Sequence, residues 1–171
     1  MKRNSFWKLP VLSLLIVLLF NGCVASSKHP ELEGQTSGFT RLVMLDGKTV
    51  ARQDLYGKKT VLLFWATWCH GSRPLIEKLN AYALTRPDLR FIAVSLDKAD
   101  KLADVQERIE AKGLNNLEHA FSGNEGWDEA FTALKGDGMP YVVVLDEETR
   151  VLKTGDNMDV VLETLELIDP V

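Results

Sequence analysis

The chain has 171 residues, 46% of them hydrophobic, and 20 Lys and Arg against 24 Asp and Glu give a formal charge of −4 at pH 7. That length suits one domain able to bury its own core. The acidic balance, with no basic run, argues against nucleic acid as a partner and against electrostatic adhesion to anionic lipid.

The first element in chain order is a targeting segment. Lys2, Arg3 and Lys8 form a positive region, and residues 11–20 are apolar apart from Ser13. So short a run cannot span a bilayer, which takes about 20 residues; it predicts a secretory signal peptide. Leu19-Phe20-Asn21-Gly22-Cys23 resembles a bacterial lipobox, in which Cys23 would be lipidated and become the first mature residue; Phe20 is a poorer match than Leu. The alternative is ordinary cleavage after Ala25, with Cys23-Val24-Ala25 as the small-x-small site. Residues 1–22 carry three Lys and Arg and no Asp or Glu, so a mature chain from Cys23 has 149 residues and a formal charge of −7. Either route leaves Cys69 as a lone thiol, and in an oxidising compartment that points to a reactive cysteine or an intermolecular bond.

Residues 23–38 are polar and predict a flexible tether, followed by a domain over 39–171. Residues 39–44 alternate, Asp46-Gly47 is a hairpin turn signal, and 49–51 form the return strand. Tyr56-Gly57-Lys58-Lys59 makes a second turn. Residues 60–65 are continuously apolar, as a strand covered on both faces requires. Leu75, Ile76, Leu79, Tyr82 and Ala83 keep helical spacing as far as Pro87.

Residues 90–96 predict a second buried strand. Residues 100–112 predict a charged surface helix with Leu102, Val105 and Ile109 inward and Gly113 as its stop. Trp127, Phe131 and Leu134 share one face of a short helix, with Trp127 read as a core residue. Residues 141–145 and 150–154 form strands about a turn at 147–149, and Met158, Val161, Leu162, Leu165 and Ile168 give a terminal helix. The pattern is an α/β domain with a mixed central sheet. Gly136-Asp137-Gly138 leads into a proline, not a helix, so no phosphate loop is expected.

The chemistry centres on Cys69-His70-Gly71-Ser72, between the strand over 60–65 and the following helix. A sulfur at a helix N-terminus is favoured as thiolate by backbone N–H groups and the helix dipole, and the thiolate is the nucleophile of disulfide exchange. Ser72 would either hydrogen-bond that thiolate or cap a helix opening at Arg73-Pro74. His70 would either stabilise the thiolate as imidazolium or lie solvated in the loop. Arg73 is expected as a surface charge. A metal site is not expected, since His29 lies in the tether and His119 is far off in sequence.

Phe64-Trp65-Ala66-Thr67-Trp68-Cys69 resembles the active-site approach of thioredoxin-fold proteins, and is most similar to the exported TlpA-like disulfide reductases with their Trp-Ala-Thr-Trp-Cys-x-x-Cys. Leu45-Asp46-Gly47-Lys48 and Leu55-Tyr56-Gly57-Lys58 match the hairpin of that branch, and Gly138-Met139-Pro140-Tyr141 resembles its second landmark. The resemblance covers residues 39–168. It implies a thioredoxin-like fold with an N-terminal β-hairpin extension and a cis Pro140 beside Cys69, against the alternative of a trans proline opening an edge strand. Trp68, Met139 and Pro140 would then contact substrate, with the Met139 backbone open to an extended peptide.

The departures from the family pattern matter. The second cysteine is Ser72. The buried carboxylate that thioredoxin carries six residues before its nucleophile is Leu63 here. The helix proline, usually eight residues after the nucleophile, is replaced by Glu77, and Pro74 lies five after it; regular helix is expected only from near Ser72.

Two functions follow. One is an exported single-thiol exchange enzyme using Cys69, with Ser72 and His70 assisting, suited to isomerisation or monothiol chemistry and needing no cofactor. The other is a redox-inactive binding or chaperone module using the groove beside Pro140. A peroxidase is disfavoured, because Leu62 and Ala66 stand where peroxiredoxins carry Pro and Thr or Ser. Partners would be exported proteins with disulfides or thiols, or small thiols, and the membrane through a lipid at Cys23; a monomer is expected. Val24, where an Asp would retain a lipoprotein at the inner membrane, points to the periplasmic side of an outer membrane.

Overall fold

The computed structural model describes residues 26–168; the targeting segment, Cys23 and its lipidation lie outside the described residues. A five-stranded sheet runs in the order β5-β4-β3-β6-β7, built from β3 (Thr60–Trp65), β4 (Arg90–Lys98), β5 (Glu118–Gly123), β6 (Tyr141–Leu145) and β7 (Val151–Gly155). β3 and β4 are parallel, as are β4 and β5, while β6 runs antiparallel to both β3 and β7. This is the expected α/β architecture with a mixed sheet.

The alternation of side chains sorts the core into two layers. Leu62, Phe64, Ile92, Val94, Tyr141 and Val143 face one side, against Phe131 and Leu134 near α3 (Glu129–Ala133) and against Phe39 and Leu42. Val61, Leu63, Trp65, Ala93, Val142 and Val144 face the other side. There they meet Leu75, Ile76 and Leu79 of α1 (Ser72–Thr85), Val105 of α2 (Leu102–Ala111), and Val161 and Leu165 of α4 (Met158–Ile168). Each fully buried aliphatic or aromatic side chain contributes about 1.5–3 kcal/mol. The continuous apolar runs of β3 and β6 are therefore what a sheet covered on both faces needs.

Both outer edges of the sheet are occupied by the N-terminal part of the chain. The expected hairpin is β1 (Arg41–Val43) and β2 (Thr49–Ala51), antiparallel to one another. Gly47 sits at φ +83, the conformation that a turn at Asp46-Gly47 requires. The hairpin reaches β5 through a bridge between Met44 and Ala120 and through the Leu45 N–H, which donates to His119 C=O at 2.8 Å.

The stretch expected as a flexible tether behaves differently. Lys28 N–H donates to Thr154 C=O at 2.9 Å, Gly34 N–H to Val151 C=O at 2.8 Å, and Val151 N–H to Gln35 C=O at 2.9 Å. Leu32 enters the core from a 3-10 turn, Pro30–Leu32, and Ser37 is buried. From Lys28 to Ser37 the chain is a strap that fills hydrogen-bonding positions along β7 which would otherwise be an open edge.

Two other expectations need correcting. Trp127 is not in the core: it is 52% exposed, on a turn before Asp128, whose carboxylate caps α3. No strand was expected over β5, which holds only Ala120 and Phe121 as apolar residues. β5 is held instead by backbone pairing to β4.

Candidate active site

β3 ends at Trp65, and the chain turns through residues 66–71 into α1. Cys69 N–H donates to Ala66 C=O at 3.1 Å, and Ser72 N–H to Cys69 C=O at 3.2 Å. Gly71 already has helical φ and ψ and is the N-cap. Ser72 therefore lies inside the helix and does not cap it. Pro74, at the third helical position, costs little because the N–H it lacks has no intrahelical partner there.

Cys69 is half-buried, and its Sγ donates to Met139 C=O at 3.4 Å. The Met139–Pro140 peptide is cis, as the resemblance implied. A Cβ at position 71 would meet Pro140 Cδ at 3.2 Å, so glycine there lets the proline ring close against the thiol loop. Trp68, the residue before Cys69 in the chain, is 51% exposed. The structure thus brings Cys69, Met139 and Pro140 together, with Trp68 adjoining Cys69 in the chain.

The other two expected residues are placed differently. His70 is exposed. Ser72 is fully buried, and its Oγ has no hydrogen-bond partner. Neither a bond to Cys69 Sγ nor a cap is made, because the helical turn begins earlier and carries the hydroxyl inward.

Four residues outside the expected set, Thr67, Arg73, Ser95 and Asp97, shape the thiol loop. Asp97, at the end of β4, is fully buried. It accepts from Thr67 Oγ1 at 2.6 Å, from Thr67 N–H at 3.0 Å and from Ser95 Oγ at 2.8 Å. Arg73, expected as a surface charge, donates from Nε and Nη2 to Thr67 C=O at 3.2 and 3.0 Å. Nothing in a sequence pattern marks Asp97, since the apolar run of β4 stops at Leu96 and the carboxylate follows it.

On the Met139 side, the loop over 134–138 is held from two directions. Tyr141 is buried and donates to Leu134 C=O at 2.7 Å, and burial pushes its phenol up to about 12. The strap crosses the same ring, with His29 edge-on at 6.0 Å and the Lys28 ammonium 5.9 Å from the centroid, and Lys28 pairs with Asp137 at 2.5 Å. Lys135 pairs with Glu31 at 2.9 Å, which holds that carboxyl at about 2. Among the described residues no group of three or more His, Cys, Asp or Glu is placed to hold a metal ion.

The arrangement has counterparts. The family model described as Redoxin matches residues 25–161. The thioredoxin-like protein YneN of Bacillus subtilis is 39% identical over 72 residues, which is 40% of this chain and 41% of that protein. The match therefore spans less than half of that relative. Among solved structures, the exposed lipoprotein thioredoxin of Streptococcus pneumoniae superposes with a TM-score of 0.61 at 23% identity, covering 74% of this chain and 97% of its own. A secreted disulfide oxidoreductase of Mycobacterium tuberculosis gives 0.58 at 19% identity, covering 68% and 82%. At these identities the likeness is one of fold: an α/β thioredoxin-like domain with a mixed sheet flanked by helices.

Proposed function

From the premise that the chain belongs to the Redoxin family, we propose that it is a thiol-disulfide exchange enzyme of the TlpA-like branch with one working cysteine, Cys69. The observation that carries this is Cys69 Sγ at the start of α1, half-buried and 3.4 Å from the Met139 carbonyl beside Pro140. Trp-Ala-Thr-Trp-Cys and the N-terminal hairpin support the branch.

In the first step the Cys69 thiolate attacks one sulfur of a substrate disulfide. That S–S bond breaks, a mixed disulfide forms at Sγ, and the second substrate sulfur leaves as a thiolate and takes up a proton. Trp68 and the edge formed by Met139 and Pro140 hold the substrate segment. Ser72 has no thiol with which to release it. A second thiol, from the substrate itself or from a small exported thiol, must attack the mixed disulfide and return Cys69 as thiolate. When the substrate supplies that thiol, its disulfides rearrange with no net oxidation. Release by an outside thiol is slower than an intramolecular attack, because effective concentration is lost.

The enzyme works as a monomer without cofactor, exported to the periplasmic side of an outer membrane and held there by a lipid on Cys23 after removal of residues 1–22. The signal-like N-terminus supports this, as does the fold shared with an exposed lipoprotein thioredoxin. His70, exposed and next to Cys69 in the chain, is available to an incoming substrate.

The test is to quench cells with acid, alkylate free thiols and compare wild type with Cys69→Ala on a non-reducing gel. Higher-mass bands lost with reductant and with Cys69→Ala are expected, and identify the partners. No such bands, with Cys69 fully reduced and slow to alkylate, would overturn exchange in favour of a binding module.

A further inference from the structure

Asp97 has no part in the steps above, yet its buried carboxylate grips the loop that presents the thiol. In the β3–β4 register Trp65 pairs with Ser95, so Asp97 stands level with Thr67, where β3 has given way to loop. Three donors converge on its two oxygens: Thr67 Oγ1 at 2.6 Å, Thr67 N–H at 3.0 Å and Ser95 Oγ at 2.8 Å. The Ser95 hydroxyl in turn accepts from Asp97 N–H at 3.2 Å, which fixes the carboxylate's own orientation. Arg73 reaches back from α1 to hold the Thr67 carbonyl with two donors, at 3.0 and 3.2 Å. Every polar group of Thr67 is thus engaged by an ionisable side chain.

We propose that Asp97 is a positioning residue for the Cys69 thiol, acting through Thr67. The proposal rests on the reading of Cys69 as the nucleophile. Only Trp68 separates Thr67 from Cys69, and the turn is closed by Cys69 N–H on Ala66 C=O at 3.1 Å. With Thr67 immobile that turn has one placement, in which Sγ faces the Met139 carbonyl. With Thr67 released it can slide along the end of the sheet. Asp97 is hydrogen-bonded to Thr67 and Ser95, and among the described residues no bond joins it to Cys69. Its role is geometric, not that of a proton acceptor for the sulfur.

The test measures the reaction of the full chain with 5,5′-dithiobis(2-nitrobenzoate), a small disulfide, across pH 5–9. Rates for Cys69→Ala supply the background. At the high-pH plateau, Thr67→Val should react slower by about tenfold to a hundredfold, the scale of a displaced reacting group. Thr67→Ser, which keeps the hydroxyl, should recover the wild-type rate. Asp97→Asn should be slowed to a similar degree, and the double variant should be no slower than the slower single, as two changes on one route are not additive.

Thr67→Val reacting at the wild-type rate overturns the proposal, as do fully additive losses. If Asp97→Asn fails to fold by circular dichroism, the Thr67→Val and Thr67→Ser pair decides alone. A wild-type rate no higher than the Cys69→Ala background overturns both the positioning role and the nucleophile on which it rests. A reactive wild type with an unaffected Thr67→Val removes the positioning role only.

Discussion

Thr67 and Ser72 flank the same cysteine, and their hydroxyls have opposite fates. Thr67 Oγ1 donates to a buried carboxylate at 2.6 Å. Ser72 Oγ is fully buried and has no partner. On the strand side of Cys69 the backbone is specified by polar bonds from Asp97 and Arg73. On the helix side it is specified by packing, with Leu75 and Ile76 buried and Gly71 close under the Pro140 ring. A thiol loop can be held rigid from one side while the other side carries an unpaired polar group of the kind that interiors usually avoid.

The largest expected effect breaks the specified side. Asp97→Ala strands three donors in the interior and should cost about 3 kcal/mol of unfolding free energy, read from urea midpoints. A loss below about 1 kcal/mol would mean that packing alone fixes the strand side too.

Next comes Ser72→Cys, which places a thiol where the hydroxyl is buried. Oxidation should then join the introduced thiol to Cys69 in an internal disulfide. Release of a mixed disulfide should be at least about tenfold faster than in wild type, since the attack becomes intramolecular. Followed by stopped-flow release of a thionitrobenzoate adduct, an unchanged rate would show that the buried position cannot reach Cys69.

Ser72→Ala should be smaller and opposite in sign to a loss on the strand side. Removing a buried hydroxyl without a partner should stabilise the fold by about 1 kcal/mol, and destabilisation in the same urea experiment would reveal a hidden partner.

The smallest effect lies away from the site and sets the background for acid titrations of it. His119 donates from Nε2 to Leu114 C=O at 2.8 Å, and burial holds its imidazole below the ordinary value of 6.5. A depressed folded-state value means that the unfolded chain binds the proton more readily. Stability from this group is therefore complete above about pH 6.5 and falls as pH drops through that value. The unfolding free energy from urea titrations should decline between pH 7 and 5, and His119→Gln should flatten the decline.

Where sequence pattern and structure agree, the cause is periodicity or punctuation. The apolar runs set β3 and β6 to the residue, and the helix begins at Ser72 as the early proline required. Met139–Pro140 and Trp68-Cys69 meet because two landmarks lie at the ends of neighbouring strands β3 and β6.

What stayed hidden is held by backbone bonds or by single polar side chains. The strap from Lys28 to Ser37 pairs with β7 through N–H and C=O groups, which leave no mark on side-chain patterning. β5 is an outer strand of the main sheet with two apolar residues. Asp97 and Arg73 look like ordinary solvent-facing charges until the fold brings both to Thr67. Trp127 shares helical spacing with Phe131, but the helix starts only after the Asp128 cap, which leaves the indole outside.

The strap also sets a length. Ser27 Oγ lies 3.1 Å from Thr154 Oγ1, so the folded body begins there. From Cys23 to Ser27 the chain advances four residues, which at about 3.3–3.6 Å each reach no more than about 14 Å. A lipid on Cys23 would therefore not hold the domain on a long leash. It would keep the β7 side close to the headgroups.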